Sequence, residues 1–238
     1  MKQLRVASII LAVFILALAG CATKPAEPLA KLVVRKIAIL PMRELTKASL
    51  ENQNGVQYLF PISAAGFAID SRAKQKLFSE KIIARKMTIG SDLTGSLTDS
   101  LTRAGYQVVV LNGIARPPND PEDIDLGKIA TDADAVLQVY FDDVGLFSSR
   151  FSTDYLPRVN VHATLHSTRR DEDFYDDTIC YGVDARSGKA WAIPADPRFA
   201  YPSFDDVMAR LPEVAEVFSV ATQAIGKHLV AQIKTALE

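Results

Sequence analysis

Chemistry-bearing side chains in this 238-residue chain concentrate between positions 158 and 184. His162 and His166 alternate with Val161, Ala163 and Leu165 and so share one face of a strand, an arrangement that invites a metal hypothesis. Four residues along a strand span about 13 Å, too far for both rings to ligate one ion, so a solvated or interface-facing strand surface is expected and no metal site is assigned. Arg169-Arg170-Asp171-Glu172-Asp173 and Asp176-Asp177 gather carboxylates that could hold calcium. Their spacing lacks the Asp-x-Asp-x-Asp-Gly loop with its distant Glu, and a solvated hairpin tip fits better. No serine lies in a Gly-x-Ser-x-Gly context, and neither a His-Glu-x-x-His pair nor a phosphate-loop or dinucleotide glycine pattern occurs. A Ser-His-Asp triad is arithmetically open but has no local support, so no catalytic residue and no cofactor is assigned. Cys180 falls on the sheet face opposite Ile179 and Tyr181. It reads as a small buried hydrophobe, with an intermolecular disulfide as the alternative.

These residues need a scaffold, and hydrophobic periodicity supplies its outline. Arg35 to Pro41 is a short apolar run ending in proline, a first strand. Leu93, Leu97 and Leu101 fall on one face of a helix over Ser91 to Ala104, stopped by Gly105. Tyr106 to Leu111 is a second strand. Asp120 can cap a helix beginning at Pro121 and carrying Leu126, Ile129 and Ala130 on one side. Ala135 to Phe141 is a central strand, and Arg158 to Thr168 a half-buried one. Asp177 to Ala185 and Lys189 to Ile193 flank Arg186-Ser187-Gly188 and are expected to pair as a hairpin. Ser203 caps a short helical turn, Pro212 separates it from the next piece, and Val214, Val217, Phe218, Ala221, Ile225, Leu229 and Ile233 recur at three and four in a final helix.

The resulting order, β-α-β-α-β-β-β-α, predicts an α/β fold: a mixed sheet with a parallel portion and an antiparallel edge, helices packed on it. Roughly 50 residues between the first strand and the Ser91 helix exceed any ordinary βα loop, which marks an insertion over 42–90 with a basic helical segment from Ser71 to Lys86. Within it, Val56 to Ile69 is nearly uncharged and reads either as a packed loop or edge element, or as a membrane-touching or partner-binding segment.

Net charge is −1 and the apolar fraction 48%. A general nucleic-acid binder would show a strong basic excess, so nucleic acid is not expected as a partner. The charges are sorted nonetheless: Arg72, Lys74, Lys76, Lys81, Arg85 and Lys86 lie in the insertion, and acids dominate Asp120 to Asp143. Opposed patches on one domain suit head-to-tail association, so a homo-oligomer is expected.

At the amino terminus, Lys2 and Arg5 precede an uncharged apolar run from Val6 to Ala19 that stops at Gly20-Cys21, followed by Thr-Lys-Pro-Ala-Glu-Pro. This is signal-peptide anatomy, and the run is short for a permanent span of roughly 20 apolar residues. Leu18-Ala19-Gly20-Cys21 resembles the lipobox of bacterial lipoproteins. The alternative is an ordinary secretory cleavage site beside an incidental Cys. The resemblance implies removal of residues 1–20, acylation of Cys21 and attachment to a membrane through that covalent lipid. Ala22, where an Asp would favour retention in the inner membrane, implies delivery to the outer membrane. Residues 21–34 then form a lipidated flexible tether, and 35–238 a single α/β domain containing the insertion. With Cys21 acylated, Cys180 has no intramolecular partner, since the chain has only two cysteines.

Ile37-Ala38-Ile39-Leu40-Pro41, Leu101-Thr102-Arg103-Ala104-Gly105-Tyr106, Ala133-Asp134-Ala135-Val136-Leu137 and Val183-Asp184-Ala185-Arg186-Ser187-Gly188-Lys189-Ala190-Trp191 follow one another in order. Together they resemble envelope lipoproteins related to the curli secretion channel CsgG, the Pel-polysaccharide export lipoprotein PelC and the TolB amino-terminal domain. The resemblance implies a non-enzymatic protein that assembles at the outer membrane, often as a ring, and supports export or envelope maintenance with other envelope proteins. The chain departs from that group in its insertion. Two other classes stay open on the residues alone: a monomeric binding module for a cell-wall, lipid or small-molecule ligand, and a periplasmic hydrolase.

Overall fold

Alternating apolar residues along β5 (Leu156–Ser167) place Val159, Val161, Ala163 and Leu165 in the core, each essentially without solvent exposure, and turn Asn160, His162, Thr164 and His166 to the other side. The computed structural model describes residues 33–53, 61–149, 152–186 and 191–238, and in it Val33–Glu238 forms one compact unit. Cys21, the signal segment and most of the tether lie outside the described residues, as do positions 56–60 of the uncharged stretch.

The sheet has seven strands. β1 (Lys36–Ile39) pairs in parallel with β3 (Gln107–Val110) on one side and with β4 (Ala135–Ser148) on the other. β4, β5 and β6 (Asp173–Gly182) are antiparallel neighbours. β2 (Ser49–Asn52), from the insertion, pairs in parallel with the far end of β4. The outermost strand is β7 (Trp191–Ile193), beside β6. Four helices pack on this sheet: α1 (Pro61–Ile83), α2 (Ile89–Arg103), α3 (Phe204–Ala209) and α4 (Leu211–Leu237). The expected mixed α/β sheet is therefore the fold, with its parallel portion at β3-β1-β4 and antiparallel strands beyond it.

The helices form where the periodicity places them. Leu93, Leu97 and Leu101 of α2 are buried, and the chain leaves that helix through Gly105, whose φ of +99° suits a residue without a Cβ. The side chain of Ser203 accepts a hydrogen bond from Asp206 N (3.1 Å) and caps α3, and Pro212 stands in the first turn of α4, where its missing N–H costs nothing. Val214, Val217, Phe218, Ala221, Ile225, Leu229 and Ile233 of α4 pack into the main core, with α4 lying on α2, β5 and β6. No helix among the described residues is long and apolar enough to cross a membrane.

Three local expectations are corrected. The helix expected from Pro121 is absent: the segment runs through turns, with one 3-10 turn at Leu126–Lys128. Its first carbonyls are taken by side chains. Arg116 Nη1 donates to Pro121 O (3.0 Å) and Gln138 Nε2 to Glu122 O (2.7 Å), the two acceptors an α-helix would need for its first turns. Leu126, Ile124 and Ile129 instead lie flat on Ala38, Leu40 and Val136, forming a small second core.

The hairpin expected around Arg186-Ser187-Gly188 is also absent. β6 ends at Gly182, and β7 returns in parallel, Ile179 beside Trp191 and Tyr181 beside Ile193. The chain turns early because Gly182 takes φ +94° against Pro157 O, and the following 3-10 turn is held by Arg158 and Asn160 on Asp184. Finally, residues 61–69, expected as a packed loop or edge element, belong to α1, which begins at Pro61 and runs into the basic helical segment; the insertion also adds β2 to the sheet edge, covered by α1.

Candidate functional site

The helices cover one face of the sheet, and the segment over Leu111 to Ile129 covers the β3-β1 end of the other. The rest of that second face is an open polar surface built by β4, β5 and β6. Its residues come from register: Tyr140 opposes His162, which opposes Thr178; Gln138 opposes Thr164, which opposes Asp176; and His166 opposes Asp173.

His162 and His166 do share this face, and each is claimed by a different carboxylate of β6. His162 Nε2 lies 2.9 Å from Asp176 Oδ1 and its Nδ1 3.0 Å from Thr178 Oγ1. An ionised carboxylate only accepts, so the Nε2 facing it carries a proton, and Nδ1 shares a hydrogen bond with the threonine hydroxyl. His166 Nδ1 lies 2.7 Å from Asp173 Oδ1 and by the same reasoning carries a proton, and its Nε2 lies beside Gly127. The Tyr140 ring sits 5.0 Å from that of His162, tilted by 38°. Burial, followed by the charges of Asp142 and Asp176, pushes the Tyr140 phenol above its ordinary pKa.

Around these pairs is a cleft of roughly 370 Å³, walled by Glu122 to Gly127 on one side and by Asp171, Asp173 and Asp176 on the other. It continues past Tyr140 towards Asp120, Asp142 and Asp143. Glu122 is matched by Arg116 (2.7 Å) and Arg43 (3.5 Å), whereas Asp120, Asp123, Asp142 and Asp171 have no ion-pair partner among the described residues. The cleft is therefore a site of net negative charge. No group of three or more His, Cys, Asp or Glu among the described residues is placed to hold a metal ion. The lining offers hydroxyls from Tyr140 and from Thr164, whose Oγ1 lies 3.2 Å from His162 Nε2.

A bulge in β4 extends this surface. Up to Phe141 the odd positions face the helices; after the irregularity between Phe141 and Asp143, Val144 and Leu146 do. The extra residue turns Asp143 onto the open face, where a strict alternation would have buried it. There it meets Arg158, whose side chain is only 14% exposed. Arg158 contacts Glu51 (3.2 Å), Asp143 (3.1 Å) and Asp184 (2.9 Å), and its guanidinium stacks 4.3 Å from the Phe147 ring. Burial alone would lower the pKa of this arginine, but Asp184, Glu51 and Asp143 outweigh it and hold the charge in place. This hub joins β2, β4, β5 and the turn after β6, and is structural.

The carboxylates read from sequence as a solvated hairpin tip are more engaged than that. Arg169 pairs with Asp134, Arg170 with Glu172 (3.5 Å), and Asp173 and Asp176 with the histidines. Asp176 follows the alternation of β6, but Asp173 has the opposite parity and reaches the same face only through the irregularity beside His166, so the spacing of β6 alone could not have found the pair. Cys180 is 6% exposed and free, and burial together with Asp184, Asp142 and Asp177 pushes its thiol up to about 11. Such a thiol is protonated at neutral pH and a poor nucleophile.

The chain matches no protein-family model and no curated protein sequence. Solved structures similar to it include a hypothetical protein of Chlamydia trachomatis, at 10% identity and TM-score 0.43 over 86% of this chain and 98% of that one. A lipoprotein of Neisseria meningitidis aligns at 14% identity and TM-score 0.33, over 61% of this chain and 81% of its own. A protein of Xanthomonas campestris described under the family model DUF330 aligns at 12% identity and TM-score 0.36, over 87% and 86%.

Proposed function

We propose that this chain is an envelope lipoprotein anchored through Cys21, on the periplasmic face of the outer membrane, and that its domain is a non-enzymatic accessory or assembly component of an export or envelope-maintenance system. The observation that carries the reading is Leu18-Ala19-Gly20-Cys21 closing an uncharged apolar run behind Lys2 and Arg5. The ordered resemblance to the CsgG, PelC and TolB amino-terminal group supports the assembly role. The open acidic face is the acting surface: it offers fixed negative charge to a basic surface, on another copy or on another envelope protein.

Cys21→Ala tests the anchor. It should abolish labelling by radioactive palmitate and release the protein from the membrane fraction; retention without labelling would sink the lipid-anchor reading. Crosslinking in the native envelope should then trap a second copy or a partner through the acidic face.

A second reading, a monomeric binding module, is favoured by the roughly 370 Å³ cleft, a size suited to a small ligand. Sedimentation of residues 22–238, which hold the whole folded unit, separates the two. A monomer at every salt concentration would support the binding module.

A further inference from the structure

Helix α1 has two apolar sides. Phe78 and Ile82 point into the core and are fully buried. On the opposite side, Ile69, Ala73 and Leu77 recur at every fourth position, which in a helix makes a continuous ridge about 12 Å long. This ridge faces outward: Ile69 is 71% exposed and Leu77 39%, and with Val33 they are the exposed large hydrophobic residues of the described chain. A helix that only seals a core needs one apolar stripe.

Basic residues flank the ridge. At 100° per residue, Arg72 and Lys76 stand on one side of it and Lys81 on the other, all exposed; Glu80, paired with Lys76, falls within the ridge, and Arg85, also exposed, follows in the turn after the helix. From Ala68 to Thr88 the chain has six basic residues against two acidic ones, and both acids, Asp70 and Glu80, are already paired to Lys74 and Lys76 along the helix. Arg72, Lys81, Arg85 and Lys86 have no ion-pair partner among the described residues.

We propose that this outward face of α1 docks on an anionic lipid surface, with Ile69 and Leu77 entering the headgroup region and the flanking lysines and arginines reaching lipid phosphates. The chemistry is that of an interfacial helix: apolar side chains find the acyl boundary and long basic ones snorkel to the charge. A second copy's acidic cleft would satisfy the cations but would press Ile69 and Leu77 against carboxylates, whereas an anionic bilayer accommodates both. The proposal rests in part on the anchor reading. Twelve residues from Cys21 to Val33 reach at most about 40 Å, so an acylated chain would hold α1 close to the membrane at high effective concentration.

The test uses residues 22–238, without the acylation site, in flotation with vesicles of phosphatidylcholine alone or mixed with phosphatidylglycerol. Binding is expected to the mixed vesicles and not to the neutral ones, and to be lost when salt is raised from about 0.1 M to about 0.5 M. The triple variant Lys76→Gln, Lys81→Gln, Arg85→Gln should partition on the order of 100-fold more weakly, from about fivefold per basic residue at a charged surface. Ile69→Gln with Leu77→Gln should weaken it by about tenfold. All five positions are exposed, and unchanged circular dichroism confirms the fold.

Absence of binding to the anionic vesicles, or equal binding by the triple variant, overturns the proposal. So does a salt-sensitive oligomer that the triple variant abolishes without any vesicle binding, which would make a second copy the occupant. Palmitate labelling of the full chain is read separately. Vesicle binding without labelling keeps this inference and removes the lipid anchor, and labelling without vesicle binding does the reverse.

Discussion

Arg158 and Asp184 meet across the end of β6 in a two-point contact, Nε to Oδ2 at 2.9 Å and Nη2 to Oδ1 at 3.3 Å. Two residues upstream of Asp184, Gly182 stands opposite Arg158 in the β5-β6 register, so the pair turns the chain back over β5, the neighbour of the strand it has just left. The same guanidinium holds Glu51 of the insertion and Asp143 of the bulge. One side chain thereby fixes where β6 stops, where β2 docks and which way β4 points after its irregularity.

Replacing Arg158 by Met keeps the stem and deletes the charge, leaving three carboxylates facing one another. The expected loss is about 2–3 kcal/mol, between the values for buried and surface ion pairs, read as a lower urea midpoint. The β2 segment should become the preferred site of limited proteolysis. An unchanged midpoint would mean that the hub contributes geometry without stability.

Asp134 at the head of β4 accepts hydrogen bonds from Arg35 N (2.8 Å) and Lys36 N (3.0 Å) at the head of β1, and pairs with Arg169. Burial alone would raise its pKa; the two N–H groups and the Arg169 charge outweigh it and hold the carboxyl below its ordinary range. A group depressed in the folded state stabilises fully above its unfolded pKa of about 3.9, and that stability fades as pH falls through the folded value. Asp134→Asn should therefore cost about 1–2 kcal/mol at neutral pH. In urea titrations, the gap between variant and parent should narrow as pH falls below the ordinary carboxylate range.

Gly145 lies where β2 crosses the end of β4, and a Cβ built there would stand 2.0 Å from Ser49 O. Gly145→Ala must push β2 away from the sheet, at a cost of about 2–3 kcal/mol. Faster hydrogen exchange at Ser49–Asn52, with β5 and β6 still protected, is the expected signature. Uniform destabilisation without local opening would count against it.

Cys180, buried and with its thiol pushed up to about 11, should react with a maleimide reagent in the native state at less than about a tenth of the unfolded rate. Non-reducing electrophoresis of residues 22–238 should show monomer alone. A disulfide-linked dimer would revive the intermolecular reading of this cysteine.

Periodicity is a local property, and whatever depended on it was legible. The alternation of β5 correctly put His162 and His166 on one face, the leucines of α2 and the stripe of α4 marked the helical layer, and the runs at Ile37 and Ala135 marked the central strands. The same reading failed at Pro121 and at the pairing of the strands that flank 187–190. Glu122 is held by Gln138, sixteen residues away, and Asp184, after β6, by Arg158 and Asn160. Tertiary structure alone decided that Asp173 and Asp176 would engage the histidines and that Asp143 would face outward. Strand register, the bulged residue of β4 and the irregularity between Leu165 and His166 set those meetings, and none of them is written in the composition or spacing of one strand. The insertion is the sharpest division: its charge was visible in the sequence, but only packing of Phe78 and Ile82 showed which side of α1 is left outside with Ile69 and Leu77.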